Sequence, residues 1–171
     1  MPPDSAQIEG RAKKCRLFVL DVDGVLTDGH LTYMPGGGES KTFHVRDGLG
    51  VQLLIASGVK VAMISGRESE VVVRRARELG IDLLFLCIAD KVDAFETAMR
   101  ESNATEEEVA YVGDDLPDLP LLRRAGLSFA VADAAPEVRA AAHVVLRAGG
   151  GQGAVREACE RILKAKGAWR V

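Results

Sequence analysis

Five short apolar runs, separated by amphipathic stretches, constrain the fold of this chain more than any other feature. Leu17-Phe18-Val19-Leu20 is continuous and ends in Asp21, the pattern of a strand buried on both faces. Val61-Ala62-Met63-Ile64 repeats it before Ser65-Gly66-Arg67, and 83–86, 109–112 and 127–131 are three further strand candidates. Helix-like segments over 48–57, 68–79, 91–102, 116–124 and 154–166 lie between or after them. This alternation predicts an α/β fold, a Rossmann-like parallel sheet with helices on both faces. Residues 29–45 interrupt it. There Leu31-Thr32-Tyr33-Met34, a Pro-Gly-Gly-Gly turn and Lys41-Thr42-Phe43-His44-Val45 predict a β-hairpin inserted after the first strand.

A length of 171 residues suits one domain, expected over 15–171 behind a flexible N-terminus at 1–14. The balance of 22 basic against 25 acidic side chains, 22 − 25 = −3, argues against nucleic acid as a partner. So do only eight aromatic residues, too few for a base-stacking platform. Cys15, Cys87 and Cys159 are far apart and odd in number, which excludes a disulfide framework or zinc knuckle and predicts reduced, buried thiols. The first sixteen residues lack the apolar stretch of a signal peptide, and no apolar run approaches the length needed to cross a bilayer. The expectation is a cytoplasmic protein without a membrane partner.

In an open parallel sheet, ligands bind at the carboxyl ends of the strands. Those ends carry Asp21-Val22-Asp23-Gly24, then Ser65-Gly66-Arg67, then Lys91 at a helix start, then Gly113-Asp114-Asp115-Leu116-Pro117-Asp118. Alone, Ser65 reads as a helix cap and Lys91 as a solvated surface residue. Converging on one edge, they suit phosphoryl transfer. Of Asp21 and Asp23, one can attack phosphorus while the other serves as acid and base. Crowded carboxylates, with Asp114 among them, call for a hard cation such as Mg²⁺. Ser65 and Lys91 would bind phosphoryl oxygens, and Gly24 and Gly66 would let backbone N–H groups approach the anion.

These residues resemble the four motifs of the haloacid dehalogenase superfamily of phosphohydrolases. The resemblance implies that Asp21 is the nucleophile, that Asp23 protonates the leaving group and then activates water, and that Ser65 and Lys91 complete the catalytic set. It further implies Mg²⁺ held by the Asp21 carboxylate, the Asp23 backbone carbonyl and Asp114. Asp115 and Asp118 would stand behind, orienting Lys91 or water at the metal.

Three stretches are similar to the family of 3-deoxy-D-manno-octulosonate (KDO) 8-phosphate phosphatases. They are Lys41-Thr42-Phe43-His44-Val45-Arg46-Asp47-Gly48, Ser65-Gly66-Arg67 and Gly149-Gly150-Gly151-Gln152-Gly153-Ala154-Val155-Arg156-Glu157. That family acts in lipopolysaccharide precursor synthesis as cap-less homotetramers, in which the hairpin and C-terminal tail of one subunit help enclose a neighbour's site. By resemblance, substrate contacts fall on Asp23, His44, Val45, Arg46, Asp47, Gly48, Gln52, Arg67, Arg75 and Lys91. Arginines suit a keto-sugar acid phosphate, because the guanidinium fork binds carboxylates in two-point fashion. Two residues depart from the family: His44 stands where Asn is frequent, and Gln152 where Arg is common. They keep a nine-carbon relative, 2-keto-3-deoxynononate 9-phosphate, open as a substrate. A non-catalytic phospho-acceptor or regulatory partner is the reading of another class, and Asp23 argues against it.

Overall fold

The computed structural model describes residues 4–170. Helix Ser5–Lys14 (α1) leads into strand Leu17–Leu20 (β1), then the hairpin of Thr32–Tyr33 (β2) and Glu39–Ser40 (β3). Val45–Ala56 (α2), Lys60–Ile64 (β4), Glu70–Leu79 (α3), Leu83–Phe85 (β5) and Lys91–Ser102 (α4) follow. The second half runs through Val109–Gly113 (β6), Leu119–Arg124 (α5), Leu127–Ala130 (β7), Pro136–Ala141 (α6), Val144–Val145 (β8) and Ala154–Ala165 (α7).

The main sheet has the order β5-β4-β1-β6-β7-β8, with every pairing parallel. The chain steps outward from β1 to β4 and β5, returns to the other side at β6, and continues to β7 and β8. The strand order therefore reverses at β1, and a crevice opens beyond the carboxyl ends of β1, β4 and β6. All four residues of β1 and all five of β6 are buried, as their unbroken apolar runs require. Helices α1, α7, α2 and α3 pack in succession on one face, and α4, α5 and α6 on the other.

Local chemistry explains the helix boundaries. Ser69 caps α3 by accepting from Val72 N–H at 3.3 Å, and Gly80 ends it in the left-handed region at φ 76°. Val72, Ala76 and Leu79 give that helix its buried stripe, while Val155, Cys159 and Ile162 do the same for α7.

The structure departs from the sequence reading in several places. Residues 1–3 of the segment expected to be flexible lie outside the described residues. From Ser5 to Lys14 the segment is helical. A capping box between Asp4 and Gln7 starts α1, buried Ala12 seats it, and Arg11 donates to the Gly126 carbonyl. The second hairpin arm is Glu39–Ser40 rather than 41–45. His44 caps α2 and Val45 begins it, so that helix starts three residues before the expected 48. The elements α6 and β8 were not expected. All three cysteines are unpaired, but Cys87 is exposed because it sits in the loop after β5, outside the core. No helix among the described residues is long and apolar enough to cross a membrane.

Candidate active site

The loop after β1 is built to present carboxylates. Asp21 N–H still bonds Val112 O at 3.1 Å, so its backbone remains part of the sheet. The Val22 carbonyl then accepts from the N–H groups of Val25, Leu26 and Thr27, curling the chain into a tight turn. Buried Thr27 Oγ1 accepts from Gly24 and Gly29 N–H, each at 3.2 Å. Gly24 has φ 90°, and a β-carbon on it would lie 2.0 Å from Asp114 Oδ2. Glycine is required there, because the Asp114 carboxylate rests on the loop backbone.

Asp21, Asp114 and Asp118 bring one carboxylate oxygen each within 4.8 Å of the others. Lys91 Nζ donates to Asp21 Oδ1 and Asp118 Oδ1, both at 2.7 Å. Asp118 is almost fully buried and satisfied on all sides. Tyr111 Oη donates to its Oδ1 at 2.7 Å, while Asp114 and Asp115 N–H donate to Oδ2 at 2.9 and 3.3 Å.

Three carboxylates face one ammonium, a formal −3 + 1 = −2 in a mostly dry crevice. Burial, then the Asp118 charge, push Asp21 up to about 6 despite the opposing pull of Lys91. Burial and the charges of Asp21 and Asp118 push Asp114 up to about 8. Burial disfavours the Lys91 ammonium, but Asp21 and Asp118 overcome it and hold that group above its ordinary value. A crowded, all-oxygen donor set that resists ionisation until neutralised fits a hard divalent cation. The residues present therefore fit Mg²⁺.

Ser65 follows β4 and is buried, with its Oγ accepting Arg67 N–H at 3.2 Å. It does not cap α3, a role taken by Ser69. Arg67 reaches back to the hairpin, its Nη2 3.4 Å from Tyr33 Oη and 3.7 Å from Glu39 Oε2, while its buried Nε has no partner. The Asp23 carboxylate is held by Lys41.

The remaining expected contacts lie around the start of α2, and no hydrogen bond or ion pair among the described residues joins them to Asp21, Asp23, Lys91 or Asp114. His44 Nδ1 accepts Arg46 N–H at 3.1 Å, and Val45 and Arg46 are exposed. Gly48 packs on the Arg75 guanidinium, which lies 5.5 Å from the Phe43 ring centroid. Gln52 Nε2 reaches Glu78 O at 3.4 Å. Asp47 is buried, with Oδ1 accepting Arg156 N–H at 2.7 Å in the first turn of α7, which ties two helices together, while its buried Oδ2 has no hydrogen-bond partner among the described residues. Asp115 is exposed and caps its own turn through Leu116 N–H at 2.8 Å, so only Asp118 of the expected pair contacts Lys91.

Sequence reasoning missed Lys41, Tyr111 and Thr27. Tyr111 reads as core, and only its position opposite β1 in the parallel register signals the site. His44, Arg46 and Gln152, with Arg147 and Arg156, line one open cleft of about 560 Å³, so both departures from the family pattern meet in one place.

The haloacid dehalogenase-like hydrolase family matches residues 41–126. The 3-deoxy-D-manno-octulosonate 8-phosphate phosphatase of Escherichia coli K12 is 46% identical over 166 residues, covering 96% of this chain and 88% of that protein. A probable YrbI family phosphatase from Pseudomonas syringae superposes with a TM-score of 0.93 at 52% identity, over 96% of this chain and 93% of that one. The 3-deoxy-D-manno-octulosonate 8-phosphate phosphatase of Moraxella catarrhalis, in complex with magnesium, phosphate and KDO, gives a TM-score of 0.93 at 43% identity, over 96% and 94%.

Proposed function

This chain belongs to the haloacid dehalogenase-like hydrolases and, within them, to the 3-deoxy-D-manno-octulosonate 8-phosphate phosphatases; from that premise we propose that it hydrolyses 3-deoxy-D-manno-octulosonate 8-phosphate to KDO and phosphate, serving lipopolysaccharide precursor synthesis. The observation that carries this reading is the convergence of Asp21, Asp114, Asp118 and Lys91 beyond the carboxyl end of β1.

The Asp21 carboxylate attacks phosphorus as the bond to the sugar oxygen breaks. Asp23 gives that oxygen a proton. Water then attacks the phosphoaspartate, Asp23 takes a proton from it, and phosphate leaves with Asp21 restored. Lys91 and the Ser65 hydroxyl hold phosphoryl oxygens, and the lysine offsets their charge. The carboxylates of Asp21 and Asp114 and the backbone carbonyl of Asp23 would hold Mg²⁺, which when bound neutralises charge on the phosphoryl group and on the carboxylates. Burial of Asp21 strips water from the nucleophile, and its bond to Lys91 fixes its direction.

Arg67 carries a buried Nε without a partner and is suited to the sugar carboxylate. The segment from His44 to Gly48, with Gln52 and Arg75, would serve a neighbouring subunit's site, a reading supported by the lack of any hydrogen bond or ion pair from it to Asp21 among the described residues. Leu31, Tyr33 and Met34 on the hairpin, and Val45 and Leu49 on α2, are exposed apolar side chains that a cytoplasmic homotetramer would cover. Light scattering is expected to give four chains per particle, and a fully active monomer would overturn that assembly.

The activity is tested by phosphate release from a panel of sugar phosphates that includes the eight- and nine-carbon keto acids. Turnover is expected to be highest on the eight-carbon substrate, to stop with EDTA and to return with Mg²⁺. Absence of turnover on every ester would favour the phospho-acceptor reading instead.

A further inference from the structure

The hairpin sends one charge into the site. The Lys41 side chain is 0% exposed, and its ammonium pairs with Asp23 Oδ1. The same ammonium lies 3.9 Å from Glu39 Oε2, which lies 3.7 Å from Arg67 Nη2. Asp23, Lys41, Glu39 and Arg67 thus form a row of alternating charges running from the catalytic loop across the hairpin to the end of β4. A lysine stripped of water is costly unless a carboxylate compensates it. An anchor for the hairpin would not need to be charged, nor to end on the residue that handles protons.

We propose that Lys41 is a positioning residue for phosphoryl transfer: its ammonium holds Oδ1 of Asp23 and so reserves Oδ2 for proton exchange. The inference rests on the phosphatase reading above and adds a residue to it. In the first half-reaction an Asp21 oxygen bonds phosphorus, the bond from phosphorus to the sugar oxygen breaks, and the proton on Asp23 Oδ2 passes to that oxygen. In the second, a water oxygen bonds phosphorus, the bond to Asp21 breaks, and Oδ2 receives a proton from the water. Lys41 keeps its own protons throughout.

The arrangement predicts a dependence on the leaving group that a merely structural lysine would not produce. An alkoxide needs the proton from Asp23, whereas nitrophenolate departs without it. The phosphoenzyme, the same from either ester, needs Asp23 as base. The full-length Lys41→Met variant is compared with wild type, with Mg²⁺ present, on the sugar phosphate and on p-nitrophenyl phosphate. On the sugar phosphate, kcat is expected to fall about tenfold or more, with KM changed by less than about threefold. On the aryl ester, the variant is expected to release a burst of about one nitrophenolate per site before a slowed steady state. Unchanged rates, or equal losses on both esters with no burst, would overturn the role of Lys41. Wild type inactive on both esters would instead overturn the phosphatase reading, and this inference with it. A second measurement needs neither activity nor a folded Lys41→Met variant. In the ¹⁵N spectrum of the metal-free chain, a slowly exchanging Lys41 ammonium signal is expected to shift in Asp23→Asn. A signal that is absent from wild type, or unmoved by that substitution, contradicts the pairing.

Discussion

Lys91 Nζ donates to Asp118 Oδ1 at 2.7 Å, and that oxygen also accepts the Tyr111 hydroxyl. The lysine is therefore aimed by a carboxylate that is itself locked by the strand beneath it and by two backbone N–H groups. Replacing Asp118 with Asn keeps the shape but removes the charge facing Lys91 and, in either orientation, turns an NH₂ group toward donors. We expect kcat for phosphate release to fall about 10- to 100-fold. The melt should lose about 1–3 kcal/mol. Steady-state kinetics and denaturant titration of the purified variant measure both.

The glycine-rich run before α7 braces the loop after β1. Gly151 N–H bonds Val25 O at 3.0 Å, and Gly150 N–H bonds Asp133 Oδ1 at 2.9 Å. A β-carbon on Gly150 would lie 1.9 Å from Gly24 O. Gly150→Ala should therefore push the loop carrying Asp23 and Gly24, lowering both stability, by about 1–3 kcal/mol, and kcat. A variant with wild-type kinetics and melting would contradict the brace.

Asp47 supplies the cap that Gly153 lacks a side chain to provide. Asp47→Ala is expected to cost about 0.5–2 kcal/mol, which lowers Tm by roughly 1–8 °C in a chain of this size. The thermal melt of the variant against wild type checks it.

His143 Nδ1 accepts Ser128 N–H at 3.0 Å and lies 2.7 Å from Ser128 Oγ. Burial, aided by the charge of Arg11, holds this imidazole below its ordinary value. A depressed folded-state value means the neutral ring is favoured in the fold. The stability from this site is thus present above the unfolded-state value of about 6.5 and is lost as pH falls below it toward the folded-state value. Tm of wild type should drop more steeply between about pH 7 and 5 than that of His143→Gln. Parallel curves would remove His143 from the account.

Asp21, Ser65, Lys91 and Asp114 were legible in the sequence because each follows an apolar run, and the ends of parallel strands share one edge. Other features depended on contacts that no local pattern carries. Asp47 reads as a ligand contact, and its Oδ1 also accepts the N–H of Arg156, 109 residues away. Helix α1 has too few apolar residues for a periodic signal and is held by its capping box and by α7. Lys41 follows a two-residue strand in a hairpin that reads as exposed, and only the folding of that hairpin over Asp23 reveals it as buried.

The central claim is that Asp21 is the nucleophile of a phosphatase acting on 3-deoxy-D-manno-octulosonate 8-phosphate. Phosphate release from that substrate by wild type and by Asp21→Asn, with Mg²⁺ present and both folds checked by melting, tests it most directly. Wild type should turn over, and the variant should lose activity by about a thousandfold or more. A folded Asp21→Asn variant that keeps turnover within about tenfold of wild type would contradict the assignment.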